Sequence, residues 1–345
     1  MSSTCAAGQE TNPSQNSNPA EFLLMKSDKN HRNKDKVKAL DSISWAIADL
    51  SFASGEASND REFIAQNLKQ LSQSASARLL IKEAGEQGWR IGLSHLEHHD
   101  FHLDVPAKTI VLDNHGLDAE GFARAPYFYH AVQASLIRAL RDAWQEKRHG
   151  GFDENYTPES VLLLERIRAA DSDVMTVAIA WEMNGDLWRH MTGSEDSDIA
   201  LAFSSALEKD PVSNGRALTA AFRQWFRNVT RVNTCDHETL EYMDEVMNAN
   251  GPVFGKKRAG KICVEVLSCL PDKTAYLRGL GDDILSDPLY AGLSDPINQT
   301  HFMHVMRDSS VHYVQNVPFR DAALAAKIFP NGEMTPEREE VKQRS

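Results

Sequence analysis

The sequence has 345 residues, room for one large domain or two, and its 41% hydrophobic and 25% charged residues are those of an ordinary globular protein. A formal net charge of −12 argues against general binding to nucleic acid or to anionic membranes. No apolar run approaches the roughly 18 residues needed to span a bilayer, and no charged-then-apolar leader opens the chain. The four cysteines, Cys5, Cys235, Cys263 and Cys269, lack any zinc-site spacing, which fits a reduced, cytoplasmic chain.

Residues 1–36 are rich in Ser, Asn, Gln and Lys and bury too little apolar surface to offset ordering entropy, so a disordered tail is expected there. The Phe22-Leu-Leu-Met25 run is its one sticky piece. A folded domain is expected over 37–330 and a charged tail over 331–345. Leu40, Ile43, Ile47 and Leu50 recur at helical spacing, which predicts a helix over 37–52. Asn59-Asp60 opens another that runs towards Glu83, with Gly85 and Gly88 closing it. Residues 89–95 and 108–113 read as strands, with a third short strand around Phe101 to Val105.

Two long helices follow, over 127–147 and 158–184. Thr157-Pro158-Glu159 is a start signal, a capping residue with proline at the first helical position. The eight residues His149-Gly-Gly-Phe-Asp-Glu-Asn-Tyr156 between the helices form a loop, and so short a connection favours an antiparallel pair. The first helix repeats Phe128, Val132, Leu136, Leu140 and Trp144 every four residues. Beside that stripe, Arg138, Asp142, Gln145 and His149 form a polar row at the edge of the core, where a site could sit. The second helix carries Leu162, Leu163, Ile167, Val174, Val177, Ala178 and Trp181 on its apolar side, with charge from Glu165, Arg168, Asp171 and Asp173.

Helical patterns continue over 198–207, 215–229, 237–247, 283–290 and 296–311, while 262–267 fits a strand or a helix start equally. Three further groups could carry chemistry. In Ser94-His-Leu-Glu-His-His-Asp-Phe-His102, His95 with His99, or His98 with His102, could share a face and hold zinc or nickel; the plainer reading is a solvated loop. His301 and His304, with His312, share a helical face but lack an acidic partner at the next position, so surface or half-buried histidines are expected. Gly255-Lys-Lys-Arg-Ala-Gly-Lys-Ile262 approaches a phosphate-binding loop, yet Ile262 lacks the hydroxyl that would hold magnesium and no good strand precedes it. A solvated basic loop is the expectation.

The segment Ser135-Leu-Ile-Arg-Ala-Leu-Arg-Asp-Ala-Trp-Gln145 resembles the helix of a bacterial family of zincin-like zinc metallopeptidases, which carries a His-Glu-Leu-Arg-His-Ala-Trp-Gln type sequence there. Residues 77–88 and 109–112, Ala169-Ala-Asp-Ser172, Leu187-Trp188 and Phe222-Arg-Gln-Trp-Phe226 are similar to flanking pieces, so the resemblance covers about 77–243. It implies an α+β, predominantly helical fold, with a zincin-like helix pair beside a small β-sheet. In such a helix two imidazoles one turn apart bind zinc and the glutamate serves as general base. The positions that match here are Arg138, Ala139 and Asp142. A guanidinium has no lone pair for a metal and an alanine moves no proton.

The expectation is therefore a metallopeptidase-like chain that has lost catalysis, needs no cofactor and acts by binding a protein or peptide. Its rivals are an active peptidase holding zinc through Asp142, Asp171 and His95 or His99, and a helical interaction protein unrelated to peptidases. Arg138 could pair with Asp142 one turn on, or reach Asp171 across the helix pair and fill the vacated metal position.

Overall fold

The computed structural model describes residues 44–50, 57–96, 99–150, 152–211, 214–251 and 254–309. The expected tails at 1–36 and 331–345, the Phe22–Met25 run, His98 and His312 lie outside the described residues. The described chain is α+β and predominantly helical, with a small four-stranded mixed sheet.

The sheet has the order β1-β2-β4-β3, with β1 Trp45–Ala46, β2 Arg90–Ser94, β3 Phe101–Asp104 and β4 Thr109–Asp113. β2 and β4 run parallel, Arg90 opposite Thr109 and Ser94 opposite Asp113. β3 pairs antiparallel with β4, Phe101 opposite Leu112, and β1 antiparallel with β2. All five residues of β4 are buried, as an unbroken Thr-Ile-Val-Leu-Asp strand in the middle of a covered sheet requires. The helix expected over 37–52 is overturned across its described part. Ser44 to Leu50 holds β1 and a single 3-10 turn, and Ile47 N donates to Trp89 O at 3.0 Å. Pairing with the exposed edge of β2 outweighs the helical spacing of Ile47 and Leu50.

Helices α1 (Asp60–Leu71) and α2 (Ala75–Glu86) replace the single helix expected from Asn59 to Glu83. The break falls at Ser72-Gln-Ser74, because Ser74 Oγ caps α2 by accepting from Ala77 N at 3.0 Å. Asn59 caps α1 in the same way through Glu62 N. A short α3 (Ala119–Arg124) leads into α4 (Pro126–His149) and α5 (Pro158–Met183), the two long helices. Pro158 sits at the first position of α5, and Asn184, in a left-handed conformation at φ 44°, ends it.

Eighteen of the 26 residues of α5 are buried, so it is the central helix, surrounded on every side. Contacts across the pair establish its antiparallel sense. Arg168 meets Gly150 and Glu146, Asp171 meets Gln145 and Arg141, and Asp173 meets Arg138. The sheet covers α4 through β3 and β4. Around α5 pack α6 (Asp186–Gly193), α7 (Ser197–Lys209), α8 (Asn214–Arg227) and α9 (Val229–Asn250). Residues 262–267 resolve as helix, within α10 (Lys261–Leu267). The chain then forms α11 (Gly281–Ser286), α12 (Pro288–Ala291) and α13 (Pro296–Ser309). Among the described residues, no helix is long and apolar enough to cross a membrane.

Candidate functional site

Of the polar row expected on α4, Arg138 and Asp142 border a trough, while Gln145 is buried against Asp171 and, like His149, lines neither of its cavities. Arg138 and Asp142 project from α4 towards Arg168, Ser172 and Asp173 of α5, beneath α9. Two cavities adjoin there, of about 410 and 660 Å³, and Arg138, Ala169, Asp173, Cys235 and Glu238 line both. Phe101, Phe152 and Tyr242 give the smaller cavity aromatic walls.

Arg138 makes neither of the pairings expected for it. Its Nε donates to Asp173 Oδ1 at 2.6 Å and its Nη2 to Asp196 Oδ2, so it faces neither Asp171 nor Asp142. Asp173 also accepts from Trp225 Nε1 at 2.8 Å, and Arg231 lies 3.5 Å from Asp196. Burial works against the Arg138 charge, but Asp173, Asp196 and Asp100 outweigh it and hold the guanidinium protonated. This chain of charges ties α4, α5, α8 and α9 to the turn before α7.

Ala139, one residue on, has no solvent exposure and belongs to the core. Asp142 accepts from Ser172 Oγ at 2.9 Å. Burial pushes its carboxyl up to about 7, against the opposing pull of Arg168 and Ser172. Asp196 is pushed up to about 6, first by burial and then by its neighbour Asp173. Burial also raises Glu238 on the trough's far wall.

The remaining candidate ligands do not converge on Asp142. Asp171 is fully buried on another face of α5, where it accepts from Arg141 Nε at 2.6 Å, Gln145 Nε2 at 2.6 Å and Tyr276 Oη at 2.9 Å. His95, at the end of β2, lies 3.5 Å from Asp113 and is solvent-exposed. His99 is exposed as well, with Glu238 as its charged neighbour. Among the described residues, no group of three or more His, Cys, Asp and Glu could hold a metal ion. The zinc that a peptidase resemblance implies does not fit here: one matching position is a clamped guanidinium, another a core methyl, and only Asp142 could ligate.

Two other sequence candidates, His301 and Gly255, have structural roles. His301 is fully buried and bonds Asp244 Oδ2 at 2.7 Å, which corrects the expectation of a surface or half-buried residue. Gly255 tucks under Asn155, where a Cβ would come within 2.2 Å of its carbonyl oxygen, so this glycine serves a close backbone approach. Sequence reasoning missed Asp173, Asp196, Trp225 and Glu238. Asp173 was visible as one of several charges on α5, but nothing local distinguishes it from Asp171.

No curated protein and no solved structure matches the chain. A family model does match residues 52–277, from the segment before α1 through Leu277, well over half of the sequence. On that match the chain belongs to the family described as "Putative metallopeptidase family (DUF6782)".

Proposed function

We propose that this chain keeps a zincin-like metallopeptidase scaffold, does not hydrolyse peptides at the Arg138–Asp142 helix, and binds a protein or peptide segment in the trough between α4, α5 and α9. The observation that carries the reading is the Arg138 guanidinium, clamped by Asp173 and Asp196 at the position where the family resemblance calls for a metal ligand. The adjacent Ala139 supplies no base, and its burial leaves a substrate no access to that position. The trough itself has what a peptide site needs, aromatic walls with a few polar groups. Family membership weighs against an interaction protein with no tie to peptidases.

Elemental analysis of the purified, untagged protein tests the lost metal site, with Asp142→Ala alongside. Less than a tenth of an equivalent of zinc, before and after zinc is added, supports the proposal. Near-stoichiometric zinc that disappears in Asp142→Ala overturns it in favour of an active peptidase with unusual ligands. Binding is tested separately with a fluorescent peptide library. Ala169→Trp, at the junction of the two cavities, should abolish capture of every peptide the wild type binds. Capture that survives this change puts the binding site elsewhere.

A further inference from the structure

The basic loop that follows α9 borders a cavity of its own, of about 640 Å³, where the chain enters α5. This cavity shares no lining residue with the trough. Hydrogen bonds fix the loop in place. Gly255 N donates to Glu154 O at 2.7 Å, Lys257 N to Asn155 O at 3.1 Å, Thr157 N to Lys257 O at 2.8 Å and Ala259 N to Ser160 Oγ at 3.0 Å. Lys257 pairs with Tyr156 in a β-bridge, and successive side chains of an extended chain leave on opposite sides. Lys257 accordingly turns to the Tyr156 ring, with Nζ 4.1 Å from its centre, while its neighbours Lys256 and Arg258 both line the cavity.

The walls of this cavity and its edge differ in chemistry. Leu163 of α5 is buried, and Phe254 of the loop, Leu285 of α11 and Met306 of α13 are half-buried, so the walls are apolar. Lys256 and Arg258 are exposed at the edge. Among the described residues neither has a carboxylate partner, whereas Lys257 lies 4.0 Å from Asp153. Glu159, also exposed, is the acidic side chain of the lining, so two cations against one carboxylate leave a single positive charge around the cavity. That local sign opposes the −12 of the whole chain. Unpaired cations beside apolar walls suit an amphiphile with one negative charge: its hydrocarbon leaves water while its head gains charge-assisted hydrogen bonds.

We infer that this cavity binds a small aliphatic carboxylate, with its chain against Leu163, Phe254, Leu285 and Met306 and its head on Lys256 and Arg258. A space of about 640 Å³ is that of a small-molecule site, apolar with a few placed polar groups. The Arg258 guanidinium offers the fork of donors that takes a carboxylate through two parallel bonds, and Lys256 adds a point charge. One negative charge matches the lining, whereas a phosphate monoester, at roughly −1.5 to −2, exceeds it. The loop is held by its own backbone bonds before any ligand arrives, so little ordering is left to oppose binding. Nothing in this binding requires the trough to hold a peptide.

The test is isothermal titration calorimetry of the full-length protein with octanoate, 1-octanol, octylammonium and acetate. Octanoate should bind at a single site with a Kd at or below about 1 mM. It should bind at least tenfold more tightly than each of the other three, and less tightly as salt is raised. Lys256→Glu combined with Arg258→Glu, both at exposed positions, should weaken octanoate at least tenfold while circular dichroism shows the fold unchanged. Ala291→Trp, at an exposed position of the lining, should fill the cavity and abolish binding. Octanol or octylammonium held as tightly as octanoate overturns the role of the two cations, and acetate held as tightly overturns the role of the apolar walls. Octanoate binding that survives both changes puts the site elsewhere. A wild type that takes up no octanoate overturns the inference outright, without recourse to any variant.

Discussion

Arg141 Nε and Asp171 Oδ2 lie 2.6 Å apart across the two long helices, and neither side chain has any solvent exposure. The guanidinium also donates to the carbonyls of Leu267 and Cys269, at 3.1 and 3.0 Å, so the pair anchors the α10 segment to the helix pair. Asp171 thus serves as a structural carboxylate, with Arg141, Gln145 and Tyr276 as its donors.

Removing one member should strand the other in the core. Asp171→Ala and Arg141→Ala should each destabilise the fold by about 3–5 kcal/mol, read from urea denaturation. Replacing both together with apolar residues of similar volume should cost less than either single change. Single-variant losses of under ~1 kcal/mol would mean that the pair is not isolated from water.

Arg138 satisfies two carboxylates at once and is only 18% exposed. Arg138→Ala should cost about 2–4 kcal/mol, because Asp173 and Asp196 are then left facing one another. Arg138→Lys should recover only part of that, since a single ammonium cannot reproduce the Nε and Nη2 contacts. A loss within the ~0.5 kcal/mol expected of an exposed pair would refute the clamp.

Asp142 makes stability depend on pH. Its carboxyl binds a proton more tightly in the folded chain, at about 7, than at its ordinary value of 3.8, because burial disfavours the charge. Its favourable contribution is therefore complete below about 4 and is lost as pH rises to about 7. Asp142→Asn keeps an oxygen for Ser172 and removes the titration. The variant should gain stability over the wild type, by about 1 kcal/mol or more, between pH 5 and pH 8. A difference that stays flat across that interval would place Asp142 in contact with water.

Helix α13 lies beyond the family match and docks on α9. His301–Asp244 at 2.7 Å and Asn298 Nδ2 to Asn233 O at 2.8 Å make the connection. His301→Ala should raise amide exchange across α13 by at least tenfold while α4 and α5 keep their protection. Equal loosening of α5 would make α13 an integral part of the core.

Local signals were legible wherever the deciding contacts lie within a few residues. The long helices show their four-residue apolar repeat, and Thr157-Pro158 and Asn59 mark helix starts through bonds three residues away. The strands β2, β3 and β4 were legible through their runs of apolar and β-branched residues. Where an element depends on a distant partner, pattern misleads: Leu50 and Ile47 have helical spacing, yet β2 captures the chain beside them.

The sequence by itself determined that this is a mostly helical α+β chain with a resemblance to a metallopeptidase family. Which carboxylate meets which arginine was decided by tertiary structure alone. Asp171 and Asp173 stand about 200° apart around one helix, so the rotation of α5 about its axis decides which arginine each one meets. Packing of the surrounding helices sets that rotation, sending Asp171 inward to Arg141 and Asp173 to Arg138 at the trough. Cys263 and Tyr156 likewise meet across 107 residues, a separation over which no local pattern can carry the signal.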